Sequence, residues 1–551
     1  MRTDYVRIYK SVHTWTGILS GMALFIAFYA GAFTVFKEPI SRWASPPAVE
    51  AALPLADAGP LVVQTLAARP DAAREFTVHL REAEHLPGRL EWQLRAPGGD
   101  DHDERGARHY VATLDAGSAR VSEFQPAPVA GFIDVLHRVI GLPVDSDPNR
   151  WVMGVIATLY ALALFSGVVV LLPSLVKDLF ALRVGPNLKR MWLDAHNAVG
   201  LMSLPFHVVM AVTAAVFAFH DGIYALQDRL FHDGRFGAAV QGPGVATPAA
   251  TPPRDPATML APTELVARAR ELSPGFVPTQ LQYQKVTGPK PVVRVWGRDE
   301  AAVSPRARGG FVALDPYSGK VMNADFLPGR QSAPNLVISS LFALHMAAFG
   351  GTAVQWMYFA LGLAGAWLFY SGNLLWIESR RKRAPKQGGA LPAQRRDARL
   401  MAAATIGVCL GCVCGISLTL LAAKWLHGRV ADLHAWHVGL YYAAFLGAIG
   451  WAFARGAGRA AVHLLWLAAA LAFAIPLTTL AGWLAPGLGL WAHGSAAALG
   501  VDLTALAGAG ALALMARAAA RRMRAGPPDS VWAARPATAS PIDGATVPNA
   551  G

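Results

Sequence analysis

Eight apolar stretches, each close to the ~20 residues that cross a bilayer, dominate this 551-residue chain. They cover residues 12–36, 151–172, 196–219, 356–377, 401–425, 434–453, 461–484 and 491–516. Inside hydrocarbon each backbone amide must find its partner within the segment, so stretches of this kind fold as helices. Only 15% of the residues are charged and mean hydropathy is +0.34, whereas a soluble domain carries about 25% charge. The first apolar run is too long for a cleavable leader, and no small-residue cleavage site follows it.

The formal charge of +13 is distributed as membrane topology requires, and does not form the groove-lining pattern of a nucleic-acid binder. Arg2, Arg7 and Lys10 precede the first stretch, and Lys177, Arg183, Lys189 and Arg190 lie between the second and third. Arg380–Arg383, Arg395, Arg396 and Arg399 follow the fourth, and Arg455 and Arg459 separate the sixth from the seventh. Arg517, Arg521, Arg522 and Arg524 follow the eighth. All fall on one side if both termini are cytoplasmic. The expected fold is therefore a membrane all-α helical bundle of about eight spans, N-in and C-in, with two extracytoplasmic α+β units.

Those units are the long loops 37–150 and 221–335. In the second, helical periodicity at 263–272 precedes strand-like runs at 280–286, 291–296 and 311–314, with a turn at Asp315–Gly319. The first has the same order: 61–68, then 76–80, 90–94, 110–114 and a turn at 115–117. The remaining divisions are 1–36 as the first span, 151–220 as the second and third, 336–380 as the fourth and 381–400 as a basic cytoplasmic linker. A four-span C-terminal module covers 401–525. The stretch 241–256 reads as a linker, and 526–551 as a disordered tail. Cys409, Cys412 and Cys414 all fall in one apolar stretch. This leaves no disulfide for the loops and no Cys-x-x-Cys-His for covalent haem attachment, and the three read as small packing residues.

An internal repeat organises the histidines. Arg7, His13, Gly17 and Ser20 match Arg190, His196, Gly200 and Ser203 at one constant offset. Leu136-His137 precedes a helix with Trp151, Ser166 and Gly167, and Leu344-His345 precedes one with Trp356, Ser371 and Gly372. A pseudo-twofold arrangement sets His13 opposite His196 near the cytoplasmic face and His137 opposite His345 near the outer face. Imidazole pairs from two helices suit axial ligation of b-type haem, and two such haems would form an electron wire. Gly17 and Gly200, one turn beyond their histidines, leave room for a porphyrin edge. His207 follows His196 by about three turns, ~16 Å along the same helix face, and is an alternative ligand of the outer haem. A lone histidine at a helix end is more often an interfacial or capping residue, and it is the duplication that sets these apart. His427, His434, His437 and His493, with no repeat behind them, read as interface chemistry.

The paired H-x-x-x-G helix starts, the Leu-His segments and the two β-rich loops resemble, over the first 380 or so residues, the PepSY-associated transmembrane-helix family. That family includes iron-regulated inner-membrane ferric-siderophore reductases of Gram-negative bacteria. The resemblance implies haem ligation by His13, His137, His196 and His345, with electrons crossing the bacterial inner membrane. The implied acceptor is a periplasmic Fe(III)-siderophore, released as Fe(II). No Gly-x-Gly-x-x-Gly nucleotide fingerprint occurs in a cytoplasmic segment, so a membrane quinol or a separate cytoplasmic reductase is the expected donor. Arg294, Trp296 and Trp92 are candidate siderophore contacts. The four helices beyond Met401 depart from the family pattern. Two rival readings remain open at this level: a non-enzymatic scaffold whose PepSY-like units bind a protease or an uptake complex, and a transporter. Against the transporter, no paired intramembrane carboxylates appear, and Asp502 is nearly alone.

Overall fold

A computed structural model describes residues 3–48, 53–81, 85–94, 107–115, 117–175, 188–231, 254–304, 306, 309–384 and 391–534. In chain order the helices are α1 (Thr3–Thr34), α2 (Lys37–Ala44), α3 (Ala58–Ala68), α4 (Val129–Arg138) and α5 (Asp147–Leu171). There follow α6 (Leu188–Met202), α7 (Leu204–Ala218), α8 (His220–Phe231), α9 (Pro262–Leu272), α10 (Ala333–Met346) and α11 (Gly351–Ser379). The chain continues through α12 (Arg396–Leu426), α13 (Leu433–Arg455), α14 (Ala457–Leu484) and α15 (Ala496–Ala525). Strands β1 (Glu75–His79), β2 (Leu90–Leu94), β3 (Arg108–Asp115) and β4 (Ser118–Phe124) come from the first long loop. Strands β5 (Val277–Gln284), β6 (Val292–Arg298), β7 (Gly310–Leu314) and β8 (Val321–Asn323) come from the second.

Among the described residues seven helices are long and apolar enough to cross a membrane: α1, α5, α11 and α12 to α15. The third expected span (196–219) is not one helix. α6 and α7 meet at Ser203 with a bend of 69°. Pro205 accounts for the break, because it has no N–H to donate and its ring collides with the carbonyl one turn back. α1, α5, α6–α7 and α11 pack as one group, and α12 to α15 as a second. The eighth span also starts later than expected, at Ala496, with Trp491 and His493 in the loop before it.

Inside the second group, Gly407, Gly411 and Gly415 form a stripe on α12 against α13. A Cβ at Gly407 would come within 2.7 Å of Ile449 Cα, and one at Gly415 within 2.7 Å of the Tyr441 ring. Small residues one turn apart let two helix backbones approach where no hydrophobic drive separates helix from lipid. Cys409, Cys412 and Cys414 are buried and unpaired in the same core.

The strands form one antiparallel sheet in the order β4-β3-β2-β1-β5-β6-β7-β8. The two loops are therefore joined at the seam between β1 and β5, with Phe76 opposite Tyr283 and Val78 opposite Leu281. The rings of Phe76 and Tyr283 stack with centroids 4.6 Å apart. Alternate residues (Phe76, Val78, Leu281, Tyr283, Val293, Val295) point to one face, where α3 and α9 cover them in a single core. Both expected turns are present: Gly117 and Gly319 have positive φ, and the Asp315 carboxylate accepts from the amides of Tyr317 and Ser318. β4 and β8, which follow these turns, have no counterpart among the expected strands.

Two further boundaries differ from expectation. α4, placed in the first loop by sequence, buries Phe132, Ile133 and Leu136 in the bundle core beside α12 and α13, so it belongs to the helical layer. The tail is ordered as far as residue 534: Asp529 accepts from Arg381 and from the Ala384 amide, and Trp532 Nε1 donates to Glu378 at 3.0 Å. Charge pairing and a half-buried indole hold a segment whose composition alone reads as unstructured. Most of the expected linker (241–253) and residues 535–551 lie outside the described residues.

The seam can be tested directly. A Thr77→Cys/Gln282→Cys double variant places two thiols at paired positions of β1 and β5, at a separation that a disulfide spans. Mild oxidation is expected to remove both from alkylation by maleimide, counted by mass spectrometry. Two thiols still alkylated after oxidation would mean that the loops do not share a sheet.

Candidate haem-binding histidine pairs

The five histidines singled out by sequence all lie in the first helix group or on the short helices beside it. His13 (α1) and His196 (α6) face each other with ring centroids 6.3 Å apart. His137 (α4) and His345 (α10) do the same at 6.1 Å. Two imidazoles on opposite sides of one metal, each with a metal–nitrogen bond of about 2 Å, have centroids roughly 6 Å apart. Both pairs thus have the separation of bis-imidazole ligation. Among the described residues no three or more His, Cys, Asp or Glu side chains gather as a site for a bare metal ion.

Hydrogen bonds determine which nitrogen of each ring is available. His13 Nδ1 donates to the Ala163 carbonyl at 2.9 Å, and His137 Nδ1 to the Ala27 carbonyl at 2.8 Å. His196 Nδ1 lies 3.0 Å from Ser371 Oγ, whose own proton is committed to the Leu368 carbonyl at 2.8 Å. His345 Nδ1 lies 2.6 Å from Thr213 Oγ1, which donates to the Val209 carbonyl. With their protons spent on helix carbonyls, both hydroxyls act as acceptors from the imidazoles. All four rings therefore carry the proton on Nδ1 and keep a lone pair on Nε2, the arrangement that a metal-ligating histidine requires.

The duplicated Ser-Gly dipeptides seat the inner pair. A Cβ on Gly167 would lie 3.0 Å from the His13 ring, and one on Gly372 would lie 3.6 Å from His196. A Cβ on Gly31 would come within 2.7 Å of His137 Nδ1, so α1 admits that ring only at a glycine. Around Gly17 there is open space, and Gly200 has only Leu368 nearby at 3.5 Å. The oxygens that orient the rings were not foreseen. Carbonyls such as Ala27 and Ala163 leave no mark in a sequence; Ser371 stood out only as a repeat position, and Thr213, a hydroxyl within an apolar helix, could have been flagged.

His207 stands apart from both pairs. Fully buried, it has Nδ1 2.5 Å from Tyr160 OH and Nε2 without a partner. Phe28, Phe206 and Phe369 surround it, with ring centroids 5.5 to 6.4 Å away. Tyr160 is one turn from Ala163, which holds His13, and Phe28 follows Ala27, which holds His137. The aromatic cluster thus occupies the interval between the pairs, about 21 Å along α1 from His13 to Ala27.

The residues matched by the family model for the PepSY-associated TM region run from 10 to 379, about two thirds of the chain, and include His13, His137, His196, His207 and His345. This chain belongs to that family. No curated protein matches it. α12 to α15 lie beyond the PepSY-associated region, and there the other histidines have separate settings. His427 Nε2 donates to the Gln125 carbonyl at 3.0 Å, and His437 is fully buried with neither ring nitrogen partnered. Asp502 is less isolated than its sequence setting implies. Its Oδ1 accepts from Trp43 Nε1 at 2.9 Å and Thr479 Oγ1 at 3.0 Å, and Lys424 Nζ donates to that same hydroxyl at 3.1 Å. Lys424 also lies 4.1 Å from the Trp43 ring centroid. This buried cluster ties the C-terminal module to α2 at the sheet end of the bundle.

Removing the Tyr160 hydroxyl leaves a second buried nitrogen of His207 unsatisfied, a loss of about 1–3 kcal/mol. Tyr160→Phe is expected to lower the thermal midpoint of the detergent-solubilised protein relative to Phe369→Tyr as a neighbouring control. An unchanged midpoint would show that the contact adds nothing to stability.

Proposed function

We propose that this protein carries electrons across the bacterial inner membrane through two b-type haems, and reduces an Fe(III)-siderophore on the sheet side so that iron leaves as Fe(II). The observation that carries this reading is the pair of histidine pairs, each with centroids about 6 Å apart and each ring holding its proton on Nδ1. His13 and His196 would hold one haem, and His137 and His345 the other. Haem supplies one-electron chemistry at an iron that changes oxidation state without a proton.

The chain's own residues supply position and environment. Ala163, Ser371, Ala27 and Thr213 orient the imidazoles from neighbouring helices, so a shift of one helix is felt by the ring it anchors. Phe28, Tyr160, His207 and Phe369 fill the interval between the pairs and keep water out. On the orientation set by the basic residues, the His13/His196 pair lies towards the cytoplasm and the sheet is periplasmic. Electrons would enter at the cytoplasmic pair from a membrane quinol or a separate reductase. The acceptor needs no acid–base catalysis: hard oxygen ligands hold Fe(III) far better than Fe(II), so one electron loosens the metal.

A dithionite-reduced minus oxidised spectrum of the purified protein, with a pyridine haemochrome count, is expected to show b-type bands and two haems per chain. His13→Ala and His345→Ala should each remove one haem. A protein that stays colourless when expressed with ample haem would overturn the reading in favour of the scaffold.

A further inference from the structure

From the outer histidine pair a series of rings leads out of the bundle. His345 meets Phe217 with centroids 5.0 Å apart, and Phe217 stacks on Phe342 at 4.6 Å. The guanidinium of Arg306 covers the far face of this series, 4.3 Å from the Phe342 centroid, and is itself exposed. A second cation stands nearby on β6. Arg294 lies 5.2 Å from the Phe311 centroid, on the sheet face that α3 and α9 leave uncovered, beside Trp296. Partial desolvation, and the like charge of Arg294 in addition, pull the Arg306 guanidinium below its ordinary pKa, with Tyr224 opposing.

The contrast with the first half of the sheet is informative. There Arg69 lies over Tyr110 but is bidentate to Asp71, and Arg108 is bidentate to Glu123. Trp92, a sequence candidate for siderophore contact, is buried beneath Arg69 on the helix-covered face. Among the described residues, Arg294 and Arg306 have no carboxylate partner. A guanidinium held over a ring can keep N–H groups free for oxygen acceptors, and two unneutralised ones that feel each other's charge favour an anion.

We infer that Arg306 and Arg294 dock an anionic, oxygen-ligated ferric chelate, from which Phe342 and Phe217 lead to His345. This rests on the reductase reading for its redox step and names the charge class of the acceptor. In that step one electron would pass to the chelate's Fe(III), reducing it to Fe(II), while the iron of a haem held by His137 and His345 would be oxidised from Fe(II) to Fe(III), with no proton transferred.

The test separates docking from redox. Calorimetry on the detergent-purified chain, with ferric citrate and Fe(III)-EDTA as anionic probes and the neutral tris-acetohydroxamate complex as control, needs no haem. Arg306→Gln and Arg294→Gln are each expected to weaken binding of the anionic chelates roughly tenfold and to leave the neutral one unchanged, with Arg306→Lys in between. Equal binding by wild type and both Gln variants, or equal losses for neutral and anionic chelates, would overturn the docking site. In reduced protein, Phe342→Leu should slow reoxidation by Fe(III)-EDTA without changing its calorimetric affinity; an unchanged rate would overturn the path. Arg-dependent binding by a colourless protein would sink the reductase reading alone, and coloured protein with Arg-independent binding would sink the docking site alone.

Discussion

An imidazole inside an apolar bundle has two nitrogens and no water to satisfy them, so its usefulness depends on where the first nitrogen finds an oxygen. Here that oxygen always belongs to a different helix from the ring it holds. Ala163 on α5 holds α1's His13, Ser371 on α11 holds α6's His196, Ala27 on α1 holds α4's His137, and Thr213 on α7 holds α10's His345. The helices of the first group are therefore coupled through the rings they carry. The spacing within each pair follows from helix packing, which Gly167, Gly372 and Gly31 make close enough for the rings to enter.

The parts of this arrangement that were legible in the sequence are those written in residue type and offset. The spans follow from apolar length, and the coincident His, Ser and Gly positions foreshadow the pairs His13/His196 and His137/His345. What could not be read depends on backbone oxygens and long-range contacts. The bend at Ser203 had a visible cause in Pro205, but proline in a membrane helix is tolerated often enough that it does not by itself mark a break. α4 has an amphipathic pattern that suits a loop helix as well as a bundle helix, and only its neighbours α12 and α13 decide. The fourth strand of each half is short or half exposed, with little apolar alternation to reveal it.

Two polar clusters help to fix the C-terminal module in place. At the sheet end, Lys424, Thr479 and Asp502 form a buried chain that includes Trp43 of α2. At the opposite end, Arg381, Asp529, Trp532 and Glu378 join the tail to α11. Between them, α12 packs on α11 and α1. Breaking a buried charged contact by removing one partner costs far more than the intact contact contributes, so these clusters specify how the module is seated more than they add to stability.

The seam between β1 and β5 also has a consequence in time. Phe76 leaves the ribosome long before Tyr283, with α5 and the bent α6–α7 pair between them in the chain. At roughly 5–20 residues per second, β1 presents an open edge for on the order of ten seconds or more. An unpaired strand edge is a template for the wrong partner. During that interval the first half of the sheet depends on α3 to cover its apolar face, while its edge is open to other nascent chains and to chaperones. Correct assembly of this protein is therefore a matter of biosynthetic order as well as of final contacts.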